Sequence, residues 1–149
     1  MTFRLVDELL TRQMTEAGSP AAEHLGMRLT VFARGVAVYE LPVREHVCGH
    51  SGRVDTHVIA ALAEEAMTSA AMSALSDDHD HDGVLLRDLQ ARFDRPVQLG
   101  DAPTLRAEAL VTRAGGESVH VVADVLCGED RVATFEGECA TRVPQRLVA

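Results

Sequence analysis

Residues 55–75 constrain the fold of this chain more than any other stretch. They hold no glycine and no proline, and alanine recurs through them at Ala60, Ala61, Ala63, Ala66, Ala70, Ala71 and Ala74. They begin on Asp55 and Thr56, two residue types that cap helices, so a long helix is expected here. No lysine or arginine occurs between Arg53 and Arg87. A helix of this length without a basic residue is not an ordinary solvated surface helix, and it is expected to be mostly enclosed. Glu64 and Glu65 interrupt its apolar run, which rules out a membrane span.

The rest of the chain supplies the enclosure. Phe3, Val6, Leu9, Leu10 and Met14 recur at helical spacing, which predicts an amphipathic helix over 3–17, stopped by Gly18, Ser19 and Pro20. Pro20 then begins a short helical turn through His24. Strands are expected over 27–33 and 36–43, joined at Arg34-Gly35, and an irregular loop over 44–53. After the helix comes a polar loop, 76–83, carrying Asp77, Asp78, His79, Asp80, His81 and Asp82. Four strands follow, over 84–93, 104–112, 118–127 and 131–141. Their breakers lie at 96–101, Gly115-Gly116 and Gly128-Glu129-Asp130, so the last three form an antiparallel meander. A doubly wound parallel sheet needs helices between its later strands, and none is expected there. The order points to an α+β domain in which about six antiparallel strands curl around one long helix. The small helix residues let the strands approach closely. One helix covers only one concave face, so the sheet edges are expected to meet those of a second copy.

At 149 residues the chain is the size of one domain. The formal charge is −9, and all 14 basic residues are arginine. Nothing basic clusters enough to follow a phosphate backbone, so nucleic acid is not an expected partner. The missing lysine excludes lysine Schiff-base chemistry and a P-loop. Cys48, Cys127 and Cys139 are odd in number, without CxxC spacing and without a signal-peptide pattern ahead of them. Reduced thiols in a cytoplasmic protein are expected. His46, Cys48 and His50 alternate but match no accepted ligand spacing, so no metal is expected.

The chemistry concentrates on the long helix. Glu64 and Glu65 are adjacent, about 100° apart around the axis. Thr68 lies one turn after Glu64 on its face, and Ser69 one turn after Glu65. A carboxylate in an apolar setting has a raised pKa unless something hydrogen-bonds its ionised form, and Thr68 is placed to do that for Glu64. Such a carboxylate attacks a thioester carbonyl directly or serves as general base toward water. The developing oxyanion needs donors, and the amides of Thr56, His57 and Val58 at the helix start are candidates. His57 and Glu64 stand roughly 10 Å apart along the axis, too far for one carbonyl to meet both. Two helices meeting antiparallel across a dimer would solve this, each offering its N-terminus to the other's glutamate.

These residues resemble the hotdog thioesterases of the phenylacetate-pathway (PaaI-like) group over residues 25–142. Leu41-Pro42-Val43-Arg44 is similar to the strand before that group's active loop. Gly52-Arg53-Val54 and residues 58–67 are similar to its loop and central helix. Asp88-Leu89, Phe93, Arg95-Pro96 and Gly100-Asp101 are similar to the strand and turn that follow. The resemblance implies a hotdog core over 25–142, preceded by the helical segment 1–24. It implies an acyl-CoA or acyl-carrier thioester as substrate, with coenzyme A entering as part of that substrate and no separate cofactor. It further implies a homodimer or dimer of dimers. The carboxylate at Glu64 would be the nucleophile or general base, assisted by the Thr68 hydroxyl.

The family's His-Gly-Gly before the helix is here Asp55-Thr56-His57, and its loop asparagine falls on Gly49. His50, Asp55 and His57 stand nearby as donors or acid–base groups in their place. The family's basic residues near the coenzyme A phosphates correspond to Arg92, Arg95 and Arg113. Two other hotdog activities remain open. Hotdog dehydratases pair a loop histidine with a helix carboxylate about fourteen residues on, a spacing that His50 and Glu64 share. A non-catalytic acyl-CoA binder would account directly for the missing glycines.

Overall fold

The computed structural model describes residues 19–75 and 84–141. The expected helix over 3–17 and the acidic loop at 76–83 lie outside the described residues. The short turn of helix is present as α1, Pro20–Leu25. Ser19 caps it by accepting the Ala22 amide at 3.1 Å, and Gly26 ends it in the left-handed conformation.

Six strands follow in an antiparallel sheet: β1 (Arg28–Ala33), β2 (Val36–Pro42), β3 (Leu85–Phe93), β4 (Thr104–Gly115), β5 (Ser118–Cys127) and β6 (Asp130–Ala140). Their spatial order is β1-β2-β4-β5-β6-β3. The meander β4-β5-β6 and the β1–β2 hairpin match the turn signals, while β3, among the described residues, pairs with β6 alone and forms the far edge. The long helix α2 is Thr56–Ala74 with Asp55 as its N-cap. It packs chiefly on β2, β4 and β5, so this is a hotdog fold with its helix off-centre toward the β1 side.

The alternation of each strand decides which face meets the helix. Ala37, Tyr39 and Leu41 on β2, Leu105, Ala107 and Ala109 on β4, and Val121, Ala123 and Val125 on β5 are all buried. The helix answers with Ile59, Leu62, Ala63, Ala66, Met67, Ala70 and Ala71. Alanine on both surfaces lets helix and sheet close up at the centre, and the larger residues fill the flanks.

Two polar side chains tie helix to sheet inside this core. Ser69 Oγ donates to the Tyr39 hydroxyl at 3.2 Å. Ser73 Oγ accepts the Gly35 amide at 2.8 Å and donates to the Ala70 carbonyl at 2.7 Å. Gly35 has φ 76° and turns the β1–β2 hairpin, a conformation that favours glycine. Ser73→Ala would leave that amide buried without its acceptor. A loss of about 1–3 kcal/mol is expected in urea unfolding, and a loss under 0.5 kcal/mol would show that another acceptor takes over.

The loop before α2 is a short 3-10 turn, Glu45–Val47, followed by isolated bridges Cys48↔Val54 and Arg53↔Gln98. The Asp55 amide donates to the Val47 carbonyl at 3.0 Å and the Val54 amide to the Val97 carbonyl at 2.8 Å. The start of the helix is therefore fixed against the 97–99 segment. All three cysteines are free thiols, with Cys127 and Cys139 buried.

Candidate active site

One stripe of α2 escapes full burial: Ala61, Glu64, Glu65, Thr68 and Met72 are each half-buried. The sheet does not cover this stripe, and both mid-helix carboxylates lie on it. Their surroundings differ. The Glu65 carboxylate accepts a hydrogen bond of 2.5 Å from Ser19 Oγ, the same hydroxyl that caps α1. The Glu64 carboxylate has no hydrogen-bond partner among the described residues. Burial raises its pKa above the ordinary glutamate value, and the neighbouring charge of Glu65 raises it further.

Thr68 does not play the part expected of it. Its hydroxyl donates to the backbone carbonyls of Glu64 at 2.9 Å and Glu65 at 3.2 Å, not to a carboxylate. A threonine inside a helix commonly bonds back to the preceding turn, and here that bond takes the proton which Glu64 would need. Ser19, 46 positions before Glu65, is the hydroxyl that serves a mid-helix carboxylate. Nothing in the sequence spacing announces it.

The helix start is also more occupied than expected. The Asp55 carboxylate accepts the His57 amide at 2.9 Å and lies 2.7 Å from His57 Nδ1. These bonds to His57, the backbone one first, lower the Asp55 pKa. The Val58 amide donates to the Asp55 carbonyl at 3.0 Å. Of the three candidate oxyanion donors, only the Thr56 amide lacks a partner among the described residues. The His57 ring is 94% exposed, pointing away from its own domain. His50 is exposed in the loop, with no hydrogen bond among the described residues. Within one chain the structure does not bring the helix start and Glu64 together, because both lie on one helix.

The three candidate phosphate-binding arginines are each ion-paired. Arg92 lies 3.3 Å from Asp94, and Arg113 lies 3.8 Å from Glu138. Arg95 reaches Asp101 and Asp130 at 3.5 Å each, tying the 96–101 turn to the start of β6. Arg92 and Arg113 are largely exposed, whereas Arg95 is the better held of the three. Among the described residues no group of three histidine, cysteine, aspartate or glutamate side chains is arranged to hold a metal ion. No described helix is long and apolar enough to cross a membrane.

A hotdog domain with a poorly solvated carboxylate on its central helix defines a class, and comparison with known proteins agrees with it. The family model of the thioesterase superfamily matches residues 58–134, more than half of the chain. The chain belongs to the thioesterase superfamily and is a thioester hydrolase. No curated protein matches the sequence. Among solved structures, it is similar to a conserved protein of Pseudomonas aeruginosa at 25% identity, covering 88% of this chain and 98% of that one, with a TM-score of 0.77. A thioesterase of Haemophilus influenzae is similar at 21% identity, 88% of each chain and a TM-score of 0.75. The Escherichia coli PaaI protein of the phenylacetic acid degradation operon is similar at 20% identity, 90% of this chain, 96% of that one and a TM-score of 0.76. The last two likenesses speak to the fold.

Proposed function

We propose that this chain hydrolyses an acyl-CoA or acyl-carrier thioester in the manner of the PaaI-like group, with Glu64 as the acting carboxylate in a site completed by a second copy. The observation that carries the choice of residue is the contrast between the two glutamates. Glu65 is engaged by Ser19, whereas Glu64 stands half-buried and without a hydrogen-bond partner among the described residues, on the stripe that the sheet leaves uncovered. As a general base, Glu64 takes a proton from water while the water oxygen attacks the thioester carbon. The tetrahedral intermediate collapses with cleavage of the C–S bond, and the departing thiolate recovers the proton.

The second copy supplies what one chain lacks. β3 is a nine-residue edge strand whose outer hydrogen-bonding side meets no other strand among the described residues, and a second β3 paired antiparallel with it would continue the sheet. The partner helix then offers its Thr56 amide, and its outward His57, to the Glu64 of the first. Coenzyme A enters with the substrate, its phosphates toward the exposed Arg92 and Arg113, and no other cofactor takes part. The expected setting is the cytoplasm, where acyl-CoA is made and spent.

A panel of acyl-CoA esters, short aliphatic to aromatic, read by a thiol reagent beside an enoyl-CoA hydration assay, tests the reading. Thiol release without hydration supports it. Hydration alone would point to the dehydratase, and tight acyl-CoA binding without turnover would leave a binder.

The pH dependence has a definite sign. The base must be ionised, so activity is lost as pH falls through the raised pKa of Glu64. The acid limb of kcat/KM is expected above the ordinary glutamate range of about 4.3. Glu65→Gln removes the neighbouring charge and should move that limb to lower pH. A limb that stays in place would show that Glu64 does not govern it.

A further inference from the structure

Ser19 is 46 positions from Glu65 in the chain, yet its hydroxyl is fully engaged between α1 and the mid-helix carboxylates. It accepts the Ala22 amide at 3.1 Å, and an amide can only donate, so the one hydroxyl proton goes to Glu65 Oε1 at 2.5 Å. The platform beneath it is rigid. Pro20 restricts the residue before it to extended backbone, and Ser19 has φ −87° and ψ 154°. Ala22 and Met27 are buried in the core, and the Met27 amide donates to the Ala22 carbonyl at 2.9 Å. α1 therefore cannot swing away from α2 without breaking core packing.

The two glutamates look in different directions, since adjacent positions on a helix stand about 100° apart. One turn after Glu64, Met67 packs beside Gly137 of β6, whereas Ser69, one turn after Glu65, bonds Tyr39 of β2. Glu64 thus faces the β6–β3 side of the stripe, and Glu65 the side where β2 and α1 meet the helix. Among the described residues of the strands packed on α2, the helix-facing titratable side chains are Tyr39, Cys127 on β5 and Cys139 on β6. Burial, first, and the charge of Glu65 hold Tyr39 above the usual tyrosine value, and burial pushes the Cys139 thiol up to about 11. Glu23 and His24 of α1 are exposed and form no ion pair among the described residues. Two carboxylates this close do not ionise independently, and a donor aimed at one member favours the charge there. Ser19 is that donor.

We infer that Ser19 is a positioning residue for the hydrolytic site: its hydroxyl holds Glu65 against α1 as the ionised member of the pair, which leaves Glu64 as the member that takes up and releases the proton. The inference rests on the reading of Glu64 as the acting carboxylate, and it adds the reason why two neighbouring glutamates have different roles. Ser19 meets neither the water nor the thioester in this scheme. It acts through Glu65 alone.

Carbon-13 NMR titration of the full chain, labelled at the glutamate δ-carbon, tests it, with the Glu64 signal identified by its loss in Glu64→Gln. Ser19→Gly removes the hydroxyl, while glycine still caps a helix well. The pair then shares its last proton, so the Glu64 midpoint should fall by about 0.5 pH unit or more and its curve broaden into two steps. Ser19→Thr, which keeps both bonds, should titrate as wild type. In a Glu65→Gln background Ser19→Gly should move nothing further, because the route through Glu65 is gone. The inference is overturned if Ser19→Gly leaves the Glu64 curve as in wild type, if threonine titrates like glycine, or if glycine moves the midpoint equally without Glu65. These curves are read without turnover, so they are separable from the hydrolytic reading. If the Glu64 midpoint moves while the acid limb of kcat/KM stays, Ser19 keeps its hold on the pair and Glu64 loses its role as base.

Discussion

Glu64→Gln is expected to lower kcat for thioester hydrolysis by on the order of 10²–10⁴, the usual worth of a positioned general base. That is about 3–5 kcal/mol of barrier, and KM should change little, since the lost interaction belongs to the transition state. Glutamine keeps the size of the side chain but does not accept the water proton at neutral pH. The same substitution should leave stability unchanged or slightly raised. Glu64 binds its proton more tightly folded than unfolded, because burial and Glu65 both disfavour its charge. Above the raised pKa the ionised side chain therefore works against folding, and removing it relieves that cost. Loss of activity with retained stability is the signature of a functional group carried at a structural expense. A kcat within fivefold of wild type would remove Glu64 from the mechanism. Single turnover in ¹⁸O water separates base from nucleophile, because only a nucleophilic Glu64 would pass its own oxygen to the first product.

The largest structural effect is expected at Gly137. It lies on β6 opposite Leu89 of β3 and Val121 of β5, beneath the irregularity in β3 between Leu86 and Asp88. A methyl group added there would press well inside contact distance of the Asp88 carbonyl oxygen, and would sit 3.1 Å from both Leu86 Cδ1 and Met67 Cε. Met67 is fully buried and the Asp88 carbonyl is backbone, so neither moves cheaply. Gly137→Ala should cost about 2–4 kcal/mol in denaturant unfolding and roughly 5–15 °C in Tm. Because the displaced strand is β3, self-association should weaken at the same time. An alanine variant within 0.5 kcal/mol of wild type would mean that β3 shifts freely on β6.

The elements that were legible in the sequence are those specified by local chemistry. The α2 boundaries follow from Asp55 and from the alanine-rich run, and the hairpins from Arg34-Gly35, Gly115-Gly116 and Gly128-Glu129-Asp130. The place of β3 beside β6 is a non-local pairing that no turn residue encodes. At the site, the glutamate pair was readable but the choice between its members was not, because Ser19 meets Glu65 only after the chain has folded back. Thr68 misled for a different reason. Helical spacing puts it on the face of Glu64, yet the nearer carbonyls of its own helix win the hydroxyl. The same competition occupies the His57 amide, which the N-cap that starts the helix also consumes. The resemblance matches Arg92, Arg95 and Arg113 to the family's basic positions, and their pairing with Asp94, Asp101, Asp130 and Glu138 is visible only once the fold sets those carboxylates beside them.

The strand order has a consequence for assembly in time. β1 with β2, β4 with β5 and β5 with β6 close through short turns, so these pairs form at little entropic cost. β3 must instead wait for β6, whose first residue lies 45 positions beyond its own, Leu85 to Asp130. Longer loop closure makes such a pairing slower than the hairpins it depends on. The strand whose edge would receive a second copy thus pairs after the meander it joins, which keeps that edge from being presented before its sheet neighbour β6 exists.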